Sequence, residues 1–380
     1  MERAWFQLPG PLRFIEKVAA SIESGRNVVA SVPQTVAIPC REALRARLTE
    51  SSRAWRHLLA DGTCGPLEEM QQKHVRLVDR DKVSSVASLA QCNSFRGCAF
   101  WIETTTVVAE KQWRSFLVDY SGACRVRDEF ERTVLCLVTH DRSIAVCEDV
   151  TLSHHPWDGH ISPLDIWAYV RYRREPTREL DGFYDHLAGA LVADVAGHDM
   201  DLAERLSTSP IQDLLEPVPL LLEYARFKGW TKECVSPQRW ADGHFGIVDG
   251  GRRVHSAILA VAGDSKGVAR RVWEAQSRVL FPLLEQLRIW ILPHAARLIR
   301  PPFLTLLGHR QVVVNSVDDL ELGQLEYHLA GTRLSTQVSC LAEMRRRLAH
   351  LEVVGSRELL GKQFQSALRE YRTECAKSSF

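Results

Sequence analysis

The chain has 380 residues, of which 45% are hydrophobic and 25% are charged, a composition that excludes a disordered, collagen-like or coiled-coil protein. At about 100–200 residues per domain, this length predicts two or three domains, or one large domain with an appended lobe. The 48 basic and 47 acidic residues give a net charge of +1, so the chain as a whole lacks the charge excess that holds a protein on nucleic acid or on a membrane.

Helices and strands alternate over the first part of the chain. In chain order, the apolar periodicity predicts a helix over 12–24, a strand over 28–32, a helix over 39–48, a strand over 75–78, a helix over 83–92, a strand over 98–102, a helix over 110–126, and strands over 134–138 and 144–152. These strands are apolar on both faces and most are separated by helices, so they predict an α/β domain whose parallel sheet is covered on both sides.

From about Ser162 the pattern becomes mainly helical. The predicted elements are helices over 163–174, 180–195, 202–206 and 211–227, a long helix over 268–299 that is bent or broken at Pro282 and Pro293, a strand over 312–314, and helices over 320–329 and 336–371. The irregular residues 229–254 predict a surface loop or a short hairpin. We therefore divide the chain into an α/β domain over residues 1–161 and a helical C-terminal domain over residues 162–380.

This order of elements resembles the core of the AAA+ and STAND classes of P-loop ATPases. In that comparison the strand at 28–32 takes the place of the strand before the phosphate loop, and the strand at 98–102, followed by Glu103, takes the place of the Walker B strand. The strand at 134–138, followed by His140, takes the place of the sensor strand. The resemblance implies a parallel three-layer P-loop-like domain, followed by a helical lid and C-terminal domain.

The segment in the position of the phosphate loop departs from that family. Residues 32–40 read Val-Pro-Gln-Thr-Val-Ala-Ile-Pro-Cys, with no glycine to form an anion nest and no lysine to reach the phosphates. Pro33 and Pro39 lack amide donors, and Cys40 offers no hydroxyl to magnesium. Glu103 is not preceded by the aspartate that would hold the metal. We therefore expect a degenerate ATPase core that lacks Walker A and uses no nucleotide cofactor.

Residues 153–160, Ser-His-His-Pro-Trp-Asp-Gly-His, concentrate metal-ligating side chains. His154, His155, Asp158 and His160 are ligand types that suit zinc or another divalent ion, which would make the chain a metal-dependent hydrolase or nuclease. Adjacent histidines on a strand point to opposite faces, however, and Pro and Asp-Gly are typical of a turn at the junction between sheet and lid. The pattern leaves both interpretations open, and we favour the turn.

Polar residues also follow two predicted strands. Glu103 with His140 and Asp141 would form a carboxylate–imidazole pair across neighbouring strand ends, which is a geometry for acid–base catalysis. Polar side chains also emerge at strand ends without any catalytic role, so Glu103 and His140 stay open candidates. The chain has no Gly-x-Ser-x-Gly motif to supply a nucleophile.

Arginine clusters in the C-terminal part offer a third interpretation. Arg345, Arg346 and Arg347 are the densest of these clusters and would contact phosphates if the chain were a nucleic-acid-binding module. Acidic residues such as Glu343 are interspersed, which favours solvated helix faces with local ion pairs.

Aromatic residues around the irregular loop are the candidates for protein–protein contact. Trp230, Trp240 and Phe245 would anchor a partner if they are exposed, whereas a tryptophan that packs under its own loop would have no such role.

The cysteines and the N-terminus bear on location. Ten cysteines occur without any Cys-x-x-Cys pair, and Cys136 lies in an apolar run, so we expect reduced thiols that fill the core. The first residues carry no export signal, and the most apolar stretch, 279–292, contains Pro282, Glu285 and Arg288. We therefore expect a cytoplasmic protein without a membrane partner.

Together these patterns favour a non-catalytic scaffold or adaptor whose partners are other subunits of a bacterial multi-protein assembly. Bacterial anti-phage defence systems contain many degenerate ATPase-like subunits, so the resemblance implies antiviral defence as the setting. The metal-dependent hydrolase and the nucleic-acid-binding module remain the alternatives.

Overall fold

The computed structural model describes residues 4–49, 51, 53–144, 146–173, 182–233, 236, 239–307 and 310–378. The chain forms two compact units: Met1–Tyr169 with Val235–His255, and Val170–Cys234 with Ser256–Phe380. This division differs in two ways from the one drawn after residue 161: the first unit continues to Tyr169, and it includes the return segment Val235–His255. We had placed that segment in the helical domain as part of a loop over 229–254.

The first unit contains a sheet with helices between its strands. The elements up to the unit boundary are α1 (Pro9–Glu23), β1 (Asn27–Ser31), α2 (Gln34–Leu48), β2 (Ala54–Ala60), α3 (Pro66–His74), α4 (Val86–Ala90), β3 (Cys98–Thr104), α5 (Val107–Ala123), β4 (Val134–Thr139), β5 (Leu152–Pro156) and α6 (Pro163–Arg173). The last of these helices, α6, continues past Tyr169 into the second unit.

The five strands form one parallel sheet in the order β2-β3-β4-β1-β5, which confirms the α/β fold with a parallel sheet. Every residue of β1 and β4 is buried. Their side chains alternate between the two faces. Asn27 on one face bonds to Ser121 of α5, and His155, which pairs with Ala30 of the other face, bonds to Ser21 of α1. The two helices therefore cover opposite faces.

Two of the predicted strands differ from those of the structure. Residues 75–78 form no strand, since Val75 follows α3 and a 3₁₀ helix begins at Leu77. The strand of this sheet that was not predicted is β2, an edge strand with an exposed Ala54 and partly exposed neighbours, so it lacks a continuous apolar run. The strand expected at 144–152 begins only at Leu152, because Asp149 forms a turn by accepting the amides of Thr151 and Leu152 at 2.7 and 2.9 Å.

The remaining elements are mainly helical. They are α7 (Gly182–Ala196), α8 (Met200–Ser207), α9 (Ile211–Leu215), α10 (Val218–Phe227), β6 (Phe245–Val248), β7 (Gly251–Val254), α11 (Ser256–Val261), α12 (Ser265–Ala296), β8 (Phe303–Leu307), β9 (Arg310–Val314), α13 (Leu322–His328), α14 (Ser335–Ala349), α15 (Ser356–Leu359) and α16 (Lys362–Ser378). The hairpin of β6 and β7 belongs to the first unit and that of β8 and β9 to the second.

The long helix α12 organises the second unit. It continues as one helix through Pro282 and Pro293, so it is not broken at these prolines. It buries Leu280, Leu284 and Leu287 along one side. The helix predicted over 336–371 is divided into α14, α15 and α16. Within the described residues, no helix combines the length and the apolar character needed to cross a membrane.

Candidate functional site at the carboxyl edge of the sheet

The connection from β1 to α2 contains residues 32–33 of the segment that the sequence resemblance compares with a phosphate loop. Here the amide of Gln34, the first residue of α2, donates to the carbonyl of Ala241 at 2.8 Å. The amides of Val36 and Ala37 donate to the carbonyl of Pro33 at 3.0 and 3.2 Å. A phosphate nest requires several amides that converge on one anion. The bond of Ala37 is the first regular bond of α2, whereas the amides of Gln34 and Val36, which a helix start otherwise leaves free, are used by carbonyls of the chain itself.

The carbonyl that accepts the hydrogen bond from the Gln34 amide belongs to the return segment of the first unit. We call residues 239–244, which precede β6, the covering segment. Its Trp240 is 4% exposed and donates its indole N–H to Asp158 Oδ1 at 3.0 Å. Gly243 has a φ of 77° and lies against the side chain of Thr35 in α2. The covering segment therefore contacts the residues that follow both β1 and β5, at the carboxyl edge of the sheet.

Glu103, the Walker B candidate, is held by three donors. Arg41 of α2 contacts both of its carboxylate oxygens at 3.1 Å, His57 Nε2 of β2 lies 3.2 Å from Oε2, and the indole N–H of Trp101 donates to Oε1 at 2.7 Å. The Glu103 side chain is 17% exposed. These contacts tie α2 and β2 to β3.

His140, the other catalytic candidate, forms its hydrogen bond with the backbone and not with Glu103. Its Nδ1 lies 2.7 Å from the carbonyl of Val32, so Nδ1–H donates to the backbone after β1. Asp141 accepts the amide and the hydroxyl of Ser143 at 2.8 and 2.6 Å, and these bonds lower the pKa of Asp141. Glu103, His140 and Asp141 thus have separate partners, and the carboxylate–imidazole pair considered from the sequence is not among the hydrogen bonds of the described residues.

The histidines of residues 153–160 also have separate partners. His154 Nε2 bonds to Ser31 Oγ at 2.8 Å, and His155 Nε2 bonds to Ser21 Oγ at 2.9 Å on the opposite face of the sheet. Burial lowers the pKa of both imidazoles, that of His155 to about 4. Both rings are therefore neutral at pH 7, and their hydrogen bonds hold β5 to β1 and to α1.

Asp158 and His160 complete the predicted metal cluster but do not join the other two. Asp158 forms an ion pair with Arg142 and accepts from Trp240. His160 Nδ1 lies 3.3 Å from the carbonyl of Gly10, and burial lowers its pKa. Within the part of the chain that the structure describes, no three His, Cys, Asp or Glu side chains are grouped to hold a metal. Residues 153–156 of this segment lie in β5, and a turn follows at residues 158–159.

The arginines considered for nucleic acid are paired with carboxylates. Arg345 contacts Glu321, Arg346 contacts Glu326 and Glu343, and Arg347 lies 2.9 Å from Glu343 and 3.5 Å from Glu358. Each arginine thus has at least one acidic neighbour, which is the pattern of solvated helix faces with local ion pairs.

The aromatic residues considered for partner contact are buried. Trp230, Trp240 and Phe245 are 8%, 4% and 6% exposed. Trp230 packs edge-on against Tyr224 at 6.0 Å, and the guanidinium of Arg252 lies 4.3 Å from the ring centre of Phe245. These side chains are interior to their own units, as in the alternative that a tryptophan packs under its loop.

Sequence reasoning missed the residues that define this edge. Arg41, His57 and the backbone of Ala241 carried no local pattern, since their partners are far away in the chain.

Comparison with known proteins finds no family model that matches the chain and no characterised protein with significant sequence similarity to it.

Proposed function

We propose that the protein is a non-catalytic scaffold or adaptor subunit of a multi-protein assembly, built on an ATPase-like core that lacks the phosphate-binding residues of Walker A. The setting we propose, from the same resemblance, is bacterial anti-phage defence. Two features support the ATPase-like ancestry: the parallel sheet, and the strand order β2-β3-β4-β1-β5, which is the order of the P-loop ATPase core that the sequence resembles.

The observation that carries the proposal is the hydrogen bond from the Gln34 amide to the Ala241 carbonyl, at 2.8 Å. It directs a backbone carbonyl, which carries partial negative charge, to the helix start where a nucleotide phosphate would need donors. A phosphate placed there would have to displace the covering segment and break the bond between Trp240 and Asp158. The missing glycine and lysine of residues 32–40 remove the contacts that would offset this loss.

The hydrogen bonds of Glu103 and His140 support a structural role for these two residues at the carboxyl edge of the sheet. Glu103 accepts from three side chains, and His140 donates to the Val32 carbonyl. A general base needs an accessible lone pair near its substrate. A side chain that already joins three elements contributes to stability instead.

Calorimetric titration with ATP and magnesium tests the proposal. We expect no binding with a dissociation constant in the micromolar range, and no release of phosphate above the background of the buffer. Micromolar affinity that depends on magnesium would overturn the proposal.

Elemental analysis of the same preparation separates the adaptor from a metal-dependent hydrolase. We expect zinc and manganese well below one per chain, and no change in the His154→Ala variant. Stoichiometric metal that is lost in His154→Ala would favour the hydrolase.

A further inference from the structure

A cavity of about 650 Å³ lies in the second unit. The end of α12, the turn before α14 and the outer face of α16 line it. Its apolar wall consists of Trp290, Leu298, Leu329 and Leu334, and Leu298 is 61% exposed. This volume lies within the range of ligand-binding clefts, and the exposed leucine means that the wall is open to a partner.

Cations outnumber carboxylates around this cavity. The four cations are Arg297, Arg333, Arg369 and Lys377, and the two carboxylates are Glu370 and Glu374. Both carboxylates are engaged: Glu374 accepts from the Trp290 indole, and Glu370 accepts from Gln337 Nε2 at 2.7 Å while it lies 3.6 Å from Arg333. The four cations and two carboxylates leave two positive charges of the lining uncompensated.

Three of the four cations form no ion pair with Glu370 or Glu374, which line the same cavity. Arg297, Arg369 and Lys377 are exposed, and no ion pair to any carboxylate of the described residues involves them, in contrast to Arg345 and Arg347 of the same unit. The carbonyl ends of α12 and α16 each contribute about half a negative charge nearby. The lining still retains an excess of about one positive charge, which favours an anionic ligand.

We propose that this cavity is a docking site for an acidic peptide segment of a partner protein. The segment would insert one aliphatic side chain against Leu298 and Leu334 and set its carboxylates beside Arg297, Arg369 and Lys377. The combination of leucines and cations favours such a peptide over a free phosphate, which would leave the apolar wall uncovered. The inference rests on the proposed adaptor role, since it names the class of partner that the adaptor takes.

Selection from a random-peptide display library on the immobilised full-length chain tests the proposal, followed by fluorescence anisotropy of the selected peptides. We expect peptides enriched in Asp and Glu around a leucine-like residue. The R297E/R369E variant should weaken their binding at least tenfold, and L298S about fivefold. The matched control R226E/R357E reverses two exposed arginines that have no acidic partner in the described residues and should change binding less than twofold.

Several outcomes would overturn the proposal: selection without acidic enrichment, equal binding by R297E/R369E and by the control, or no selected peptide at all. If ATP or inorganic phosphate binds the wild type and R297E/R369E abolishes that binding, while acidic peptides fail, the cavity takes a small anion instead. None of these readouts requires magnesium. Magnesium-dependent ATP binding, on which the proposed function depends, is therefore judged separately.

Discussion

Glu103 offers the sharpest test of whether the sheet edge is structural or catalytic. The perturbation is Glu103→Ala, which deletes the carboxylate that accepts from Arg41, His57 and Trp101. Trp101 is 0% exposed, so its indole N–H loses its acceptor where water cannot readily replace it. An unsatisfied buried donor costs about 1–3 kcal/mol. The loss of a partly buried partner for Arg41 adds about 1 kcal/mol.

We therefore expect Glu103→Ala to lower the free energy of unfolding by about 2–4 kcal/mol. Glu103→Gln should lower it by about half as much, because its amide oxygen still accepts from Trp101 while the charge opposite Arg41 is lost. The matched control is Glu42→Ala. Glu42 neighbours Arg41 on α2, is exposed and has no side-chain hydrogen bond in the described residues, so the change should stay within about 0.5 kcal/mol.

Urea denaturation followed by circular dichroism and by tryptophan fluorescence measures these differences. The chain has two units, so the two signals should be fitted as separate transitions if they do not coincide. An unfolding midpoint of Glu103→Ala equal to or above that of the wild type would refute the structural role. That result is expected for a catalytic carboxylate kept at the expense of stability.

Three further predictions concern the same unit. Acidification from pH 6.5 towards pH 4 should lower the free energy of unfolding by about 1–2 kcal/mol through His155, after allowance for partial exposure. The pKa of this residue is about 4 in the folded chain, so over this range only the unfolded chain binds the proton. The same dependence of the unfolding free energy on pH in His155→Gln would contradict this. Trp240→Phe removes the bond to Asp158 and should lower the free energy needed to open the covering segment by about 1 kcal/mol. Proteolysis within Val235–His255 should then be roughly fivefold faster than in the wild type, and equal rates would contradict this prediction. Asn27→Ala leaves the buried Leu135 amide without its acceptor and should cost about 2–3 kcal/mol in the same urea assay, whereas a loss below about 0.5 kcal/mol would show that the bond contributes little.

The central part of the sheet could be predicted because burial on both faces leaves a continuous apolar run, as in β1 and β4. The edge strand β2 could not, since Trp55, Arg56 and His57 are partly or largely exposed and break that run. Most predicted helices have counterparts with shifted ends, whereas α3 and α11 were not predicted. The prediction merged α14 to α16 although Gly355 and Gly361 lie in the connections between them.

The candidate site was harder to predict because its contacts are distant in the chain. The residues were identified, but Glu103 meets Arg41 across 62 positions and His57 across 46, and Asp158 meets Trp240 across 82. Periodicity and motif spacing describe neighbours in sequence and contain no information on such pairs. The absence of phosphate-loop residues could be seen in the sequence, whereas the carbonyl that takes the Gln34 amide could not.

Hydrogen–deuterium exchange at the start of α2 tests the central claim most directly, with residue-level resolution of the Gln34 amide. The account predicts slow exchange in the wild type because Ala241 accepts this amide at 2.8 Å, no change on addition of millimolar ATP with magnesium, and faster exchange in Trp240→Ala. Fast exchange of Gln34 in the wild type, or protection of this amide that appears only with magnesium and ATP, would contradict a core whose phosphate position is occupied by its own chain.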